Sequence, residues 1–252
     1  MTKVTNYMLT EEELGRYDRQ IMIRGFGKEG QEKLQRAKVV IAGAGGLGSP
    51  VSIYLAAAGV GTIRIIDHDT VELSNLNRQV LHWDEDIGKN KVDSALEKLK
   101  RLNHRVKIEA IKETITEDNV SQLVAGFDLI VDAMDNLATR FVLNKAAIER
   151  RIPFIHGAVY GFEGRVMTVI PGQTACLRCM YRGNMPGEKF PVIGVVPAVI
   201  GSIQATEVIK YIVGIGELLT NRLLAFDGMH MKFAEFTVKR VPGCEHCGHL
   251  GS

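Results

Sequence analysis

The chain has 252 residues, 46% of them hydrophobic and 24% charged, with 31 basic and 29 acidic side chains and a formal net charge of +2. That is enough chain to bury a full core, and its scattered, balanced charge suggests neither a nucleic-acid nor a membrane surface. Apolar stretches such as Val192 to Ile203 are broken by Gly and Pro and are short for a membrane span, and the N-terminus has no apolar signal core, so a cytoplasmic protein is expected.

Residues 1–36 read as an N-terminal helical arm, in which Thr10 and Glu13 make a capping-box pattern. Arg16 and Arg19 sit on neighbouring turns of this arm; by composition alone they read as solvated surface. Lys38-Val-Val-Ile-Ala-Gly-Ala-Gly-Gly-Leu-Gly-Ser49 is an apolar strand running into a glycine turn and then a helix. Gly43, Gly45 and Gly48 fit GxGxxG, a pattern that lets the backbone approach a phosphate at the positive end of a helix but leaves the nucleotide open. The helix spans Ser49 to Gly59, and Thr62 to Ile66 is a strand ending at Asp67, about 20 residues beyond the glycines. A carboxylate there can hold ribose hydroxyls; the plainer alternative is a strand-end aspartate capping its own loop.

Asp69 to Asp86 is a polar loop longer than a connection needs, containing Ser74, Asn75, Arg78, Gln79, His82 and Trp83. A helix follows from Lys89-Asn-Lys91 to about Leu102, with a strand at Val106 to Ile111 and a short helix at Thr116 to Val124. Next come a strand at Phe127 to Asp132, a helix carrying Phe141 to Ile148 and a strand at Pro153 to Val159. This alternation predicts a doubly wound, Rossmann-like, mainly parallel sheet. Beyond it, Arg165 to Ile170 alternates like an antiparallel strand, residues 175–196 are irregular, Pro197 to Ile212 is an apolar helix, and Arg222 to Phe226 with Lys232 to Val238 reads as a strand pair. With no repeat or linker, residues 37–252 are expected to form one continuous domain with a C-terminal extension.

All four cysteines fall into two CxxC pairs, Cys176 with Cys179 and Cys244 with Cys247. Two such pairs predict a closed tetrahedral zinc site that ties the C-terminal extension to the rest. His246 and His249 lie beside the second pair and are treated as bystanders, since four sulfurs already complete the site.

Arg16-Tyr-Asp-Arg-Gln20, the glycine turn, Asp67-His-Asp69, Ser74-Asn-Leu-Asn-Arg-Gln79, Lys91, Asp132 to Asn136 and the paired CxxC together resemble the MoeB/ThiF adenylyltransferases, relatives of the ubiquitin-activating enzymes. The likeness runs from about Leu14 to Cys247. It implies a homodimer that uses ATP to adenylylate the C-terminal glycine of a small ubiquitin-like sulfur carrier ending in Gly-Gly, releasing pyrophosphate. It further implies that Gly43, Gly45, Gly46 and Gly48 form the floor of the ATP site and that Asp67 holds the ribose. Asn75, Arg78 and Lys91 would then contact the phosphates, with Ser74 also part of the ATP site, Gln79 and Asn136 positioning these groups, Asp135 holding Mg2+, and Arg19 reaching into the partner subunit's site. No cysteine lies between Met180 and Gly243, where some relatives carry a catalytic one. With every thiol assigned to zinc, the reaction is expected to stop at the acyl-adenylate, and a separate protein would supply sulfur. The competing readings are an NAD-dependent oxidoreductase, from the same glycines and Asp67, and a non-catalytic carrier-binding scaffold, from the missing cysteine.

Overall fold

The computed structural model describes residues 8–181 and 190–250. The first seven residues of the expected arm, and residues 182–189 of the cysteine-free segment, lie outside the described residues. The arm forms α1 (Glu11–Arg16), α2 (Asp18–Ile21) and α3 (Gly27–Arg36). Thr10 Oγ1 accepts from Glu13 N–H while the Glu13 carboxylate accepts from Thr10 N–H at 2.8 Å, so the predicted box closes both ways.

β1 (Lys38–Ala42), α4 (Gly48–Ala58), β2 (Thr62–Ile66), α5 (Lys91–Leu102) and β3 (Lys107–Ile111) follow in order, then α6 (Val120–Leu123), β4 (Leu129–Asp132), α7 (Leu137–Arg150) and β5 (Phe154–Tyr160). β6 (Glu163–Val169), α8 (Leu177–Met180), α9 (Val195–Val213), β7 (Arg222–Asp227) and β8 (Lys232–Thr237) complete the chain. Among the described residues eight strands form one sheet in the order β3-β2-β1-β4-β5-β6-β7-β8, parallel through β5 and antiparallel from β5 to β8. The doubly wound parallel sheet with an antiparallel extension is therefore the observed architecture.

The apolar runs that made β1 and β4 legible are apolar because both faces are covered. In β1, Val39 and Ile41 join the core beneath α4, α5 and α9, while Val40 and Ala42 join a second core on the opposite face with α6 and α7. α9 is long and apolar enough to cross a membrane by length and composition, yet it packs against α4, β5 and β6.

Two elements are shorter than the sequence suggests. The helix expected over Thr116–Val124 is reduced to α6, because Asn119 Oδ1 accepts from Thr116 N–H and Asn119 Nδ2 donates to the Thr114 carbonyl, offering the backbone a turn in place of a first helical turn. The strand expected from Phe127 begins at Leu129, since the Phe127 N–H turns back to Val124.

Candidate nucleotide site and cysteine cluster

β1 pairs with β2 on one side and β4 on the other, so the chain leaves the ends of β1 and β4 in opposite directions and a crevice opens between them. A cavity of about 920 Å³ lies there. Its floor is the turn after β1. Gly43 has φ +105°, and a Cβ on it would stand 2.5 Å from the Ala133 carbonyl oxygen; a Cβ on Gly48 would stand 2.0 Å from the Gly43 carbonyl oxygen. These two glycines are demanded by the protein itself. Gly45 is different: a Cβ there would meet nothing nearer than Gln79 Nε2 at 3.6 Å, yet the residue lines the cavity. The backbone N–H groups of Gly45, Gly46 and Leu47, all on the cavity wall, have no acceptor among the described residues. They open the N-terminus of α4, where unpaired amides and the helix dipole favour an anion.

Asp67, at the end of β2, does what a strand-end aspartate does and more. Its Oδ2 accepts from Ala44 N–H and its Oδ1 from Asp69 N–H, both at 2.8 Å. It also lines the cavity, and a carboxylate has lone pairs left for further donors. Lys91, at the start of α5, is 5% exposed, and its Nζ is paired with Asp69 Oδ2 at 2.7 Å. Arg78 Nη1 donates to the Ser74 carbonyl and to Asn77 Oδ1. Both cations line the cavity and both are held by protein oxygens.

The opposite wall is the turn after β4. Asp135 is exposed on the cavity, and Asn136 caps α7 through Thr139 N–H while its Nδ2 reaches Asp135 Oδ1 at 3.4 Å. Beneath them the Met134 peptide is held at both ends, its N–H by Asp132 Oδ1 and its carbonyl by Arg140 Nη2. Asp132 also takes His156 Nδ1 at 2.7 Å. Burial pushes the His156 imidazole below its ordinary range, against the pull of Asp132.

Four residues named from the sequence, Ser74, Asn75, Gly48 and Arg19, do not line the cavity. Ser74 is exposed and its Oγ donates to Glu72; the buried Asn75 side chain accepts from Glu72 N–H, closing the short turn before Arg78; Gly48 lies behind the floor as its steric support. Arg19 is exposed, with no partner among the described residues. Its neighbours explain the presentation: Tyr17 is buried with its hydroxyl accepting from Asn103, and Gln20 donates to the Ala58 carbonyl, so the arm is anchored on one face and Arg19 points from the other. The sequence reading gave no role to Asp69 or Arg140, although the DxD after β2 signalled the first; nothing local signals the second.

The four sulfurs lie within 4.8 Å of one another, with Cys176–Cys179, Cys176–Cys244 and Cys179–Cys247 separations of 3.9, 3.7 and 3.5 Å. Thiolates 2.3 Å from a tetrahedral ion stand ~3.8 Å apart, whereas a disulfide needs ~2.05 Å. The donor set therefore fits zinc. Cys176 leads into α8, and the second knuckle folds back with Gly248 N–H on the Cys244 carbonyl. Asn144 of α7 joins the two, accepting from Leu177 N–H and bonding to His246 Nδ1, which leaves His246 engaged outside the cluster. Burial raises the Cys176 and Cys247 thiols, the latter to about 11, so these two ionise only with a cation to receive them, whereas at Cys244 burial is outweighed by the Cys247 and His246 N–H groups, which lower the thiol.

A glycine turn at a switch point, a strand-end carboxylate and a cation-lined cavity place the chain among the Rossmann-like α/β proteins, here with an appended cluster of four thiols. Residues 17–246 match the ThiF family, and the chain belongs to it. It is 43% identical over 250 residues to the sulfur carrier protein adenylyltransferase of Thermus thermophilus, covering 95% of this chain and 92% of that one. It is 40% identical to the molybdopterin-synthase adenylyltransferase of Escherichia coli, over 95% and 98% of the two chains. Among solved structures it is similar to E. coli MccB crystallised with ATP, with a TM-score of 0.80 and 28% identity over 92% of this chain and 74% of that one.

Proposed function

We propose that this chain is a cytoplasmic, ATP-dependent adenylyltransferase that activates the C-terminal glycine of a ubiquitin-like sulfur-carrier protein. The observation that carries the reading is the row of unclaimed amides at Gly45, Gly46 and Leu47, facing a cavity whose other walls hold Arg78, Lys91 and Asp135. A nicotinamide site has no use for that much cationic and carboxylate chemistry, and a scaffold has no use for the open turn. The names of the relatives support the same activity.

In this reaction the carrier carboxylate, already ionised at neutral pH, attacks the α-phosphorus of ATP. One P–O bond forms to the carrier, the bond to the β-phosphate oxygen breaks, and pyrophosphate leaves with the electron pair. No general base is needed; catalysis lies in alignment and in stabilising charge on the phosphates. The turn amides hold the phosphates, Asp67 the ribose, and Lys91 and Arg78 neutralise charge as the leaving group departs, with Asn75, Ser74, Gln79 and Asn136 shaping their surroundings. Asp135 would hold Mg2+, for which one exposed carboxylate plus phosphate oxygens is a fitting donor set; the ion screens the triphosphate. In a homodimer Arg19 supplies a further cation from the partner subunit, consistent with its exposure and with its having no partner among the described residues. Cys176, Cys179, Cys244 and Cys247 hold a structural zinc. With no thiol left over, the acyl-adenylate is the final product and a separate protein delivers sulfur.

The test is exchange of labelled pyrophosphate into ATP with a carrier ending in Gly-Gly. Exchange is expected only with the carrier, and to fall by about 10²-fold or more in Lys91→Ala and Asp135→Ala, as for loss of one charge-stabilising group. Exchange that survives both substitutions would remove the assigned site.

A further inference from the structure

One buried polar assembly serves no step of that reaction directly. His82, Asp86, Ser94 and Lys98 are all buried, at 3%, 0%, 1% and 8% exposure. Lys98 Nζ pairs with Asp86 and donates to Ser94 Oγ at 3.1 Å; Ser94 Oγ lies 2.8 Å from His82 Nδ1; and His82 Nε2 lies 2.9 Å from the Ala44 carbonyl oxygen. The chain of contacts starts at an ion pair between the long loop and α5 and ends on the glycine turn, 38 residues before His82.

The direction of each bond follows from the partners. A carbonyl only accepts, so the proton sits on Nε2, and Nδ1 must then accept from the Ser94 hydroxyl, whose own lone pairs receive Lys98. Lys98 in turn is neutralised by Asp86. Although burial works against its charge, Asp86 is held far below the ordinary carboxylate range by Lys98, the Trp83 N–H and Lys89, so the ion pair persists. Burial also keeps the His82 imidazole below its ordinary range.

Ala44 stands between Gly43 and Gly45, and its peptide groups are claimed on both sides. Asp67 takes its N–H at 2.8 Å and His82 takes its carbonyl. The next three amides, Gly45, Gly46 and Leu47, are the unclaimed ones on the cavity wall. The Ala44 carbonyl belongs to the same peptide unit as the Gly45 N–H, and a peptide is planar. Fixing that oxygen therefore fixes the direction of the first phosphate-facing N–H.

We infer that His82 is a positioning residue for the triphosphate: by holding the Ala44 carbonyl it orients the Gly45 amide toward the phosphates, and Ser94 keeps the imidazole turned to do so. This rests on the reading of the turn as the floor of an ATP site. A neutral donor at the Nε2 position is all the role demands, so glutamine, whose amide can reach as far, serves in its place and an isosteric hydrocarbon does not.

The experiment is calorimetric titration of the full chain with the α,β-methylene analogue of ATP and Mg2+, alongside thermal unfolding. His82→Leu is expected to bind about tenfold more weakly than the parent, the scale of one oriented hydrogen bond. His82→Gln is expected within about threefold of the parent, and Ser94→Ala to lose about threefold while keeping the imidazole. A merely structural role would not give rescue by glutamine at the phosphate site. Parent-like binding by His82→Leu, or binding by His82→Gln as weak as by His82→Leu, overturns the inference. Should His82→Leu fail to fold, parent-like binding by Ser94→Ala does so. Failure of the parent chain to bind the analogue at all would instead overturn the ATP reading, and this one with it.

Discussion

The cysteine cluster and the nucleotide cavity are both places where like groups are gathered, and they differ in what balances them. In the cluster, four thiols converge within 4.8 Å of one another with no opposite charge among them. In the cavity, Lys91 already has Asp69 and Arg78 already has the Ser74 carbonyl. The cluster holds no counter-charge of its own; in the cavity the Lys91 and Arg78 cations are already held by protein oxygens, while the turn amides at Gly45, Gly46 and Leu47 have no acceptor among the described residues. On the proposed reading, the thiol cluster would need its ion to hold together, whereas a site that turns ligands over must be stable when empty.

The largest expected effect follows from the cluster. Removing its metal with a chelator, or substituting Cys179→Ser, leaves buried sulfurs without their common partner and is expected to cost ~4 kcal/mol or more. That is less than the apparent ~10–16 kcal/mol of isolated zinc peptides, because the eight-stranded sheet has its own core. For a chain of this size the loss corresponds to a fall in Tm of about 8–16 °C. Metal analysis should return one zinc per chain before chelation, and calorimetry should show the fall after it. Unchanged unfolding of a metal-free chain would erase the contrast between the two sites.

How far each site could be read from the sequence follows the same division. The cysteine site was legible because each half is local, two thiols three residues apart, and because no cysteine is left over. The glycine turn and Asp67 were legible because a single βαβ unit sets their register. What was not legible are contacts that join separate segments: Asp69 to Lys91, 22 residues apart; Arg140 to the Met134 carbonyl, which looks like an ordinary surface arginine of a helix; and His82 to Ala44. Asn75 shows the converse, a motif residue whose side chain is committed to its own turn through Glu72 N–H. Arg19 was singled out only by resemblance, since nothing in the sequence around it distinguishes it from Arg16; in the structure the Arg16 guanidinium reaches the Leu102 carbonyl while Arg19 has no partner among the described residues.

The glycine turn repeats the contrast on a smaller scale, between Gly48, required by the protein, and Gly45, open to the cavity. Gly48→Ala would drive a methyl to 2.0 Å from a backbone oxygen and is expected to destabilise by about 3 kcal/mol, the upper range for overpacking. Gly45→Ala meets only ordinary contacts, so its stability is expected to change by less than ~0.5 kcal/mol. Its affinity for the α,β-methylene ATP analogue should nevertheless fall about tenfold, because the methyl occupies the approach of a phosphate to the turn. Denaturant unfolding and calorimetric titration of the two variants separate the effects. Equal loss of stability in both would mean that the floor is packed throughout and not shaped for a ligand.

The smallest effect tests whether the cavity's cations are held in reserve. Lys91 is nearly buried and Asp69 half exposed, so their pair is worth at most ~1 kcal/mol to the fold, and Asp69→Asn is expected to lower stability by no more than that. Its effect on ligand affinity has a definite sign. In the parent, phosphate must displace a carboxylate from Lys91; with asparagine there, the competing negative charge is gone while an amide oxygen still positions the ammonium. The analogue is therefore expected to bind two- to fivefold more tightly to Asp69→Asn, corresponding to ~0.4–1 kcal/mol. The gain should shrink in high salt, where the removed repulsion is screened in both proteins. Weaker binding by Asp69→Asn at every salt concentration would mean that Asp69 acts as a fixed support for Lys91 and not as a stand-in for the phosphate.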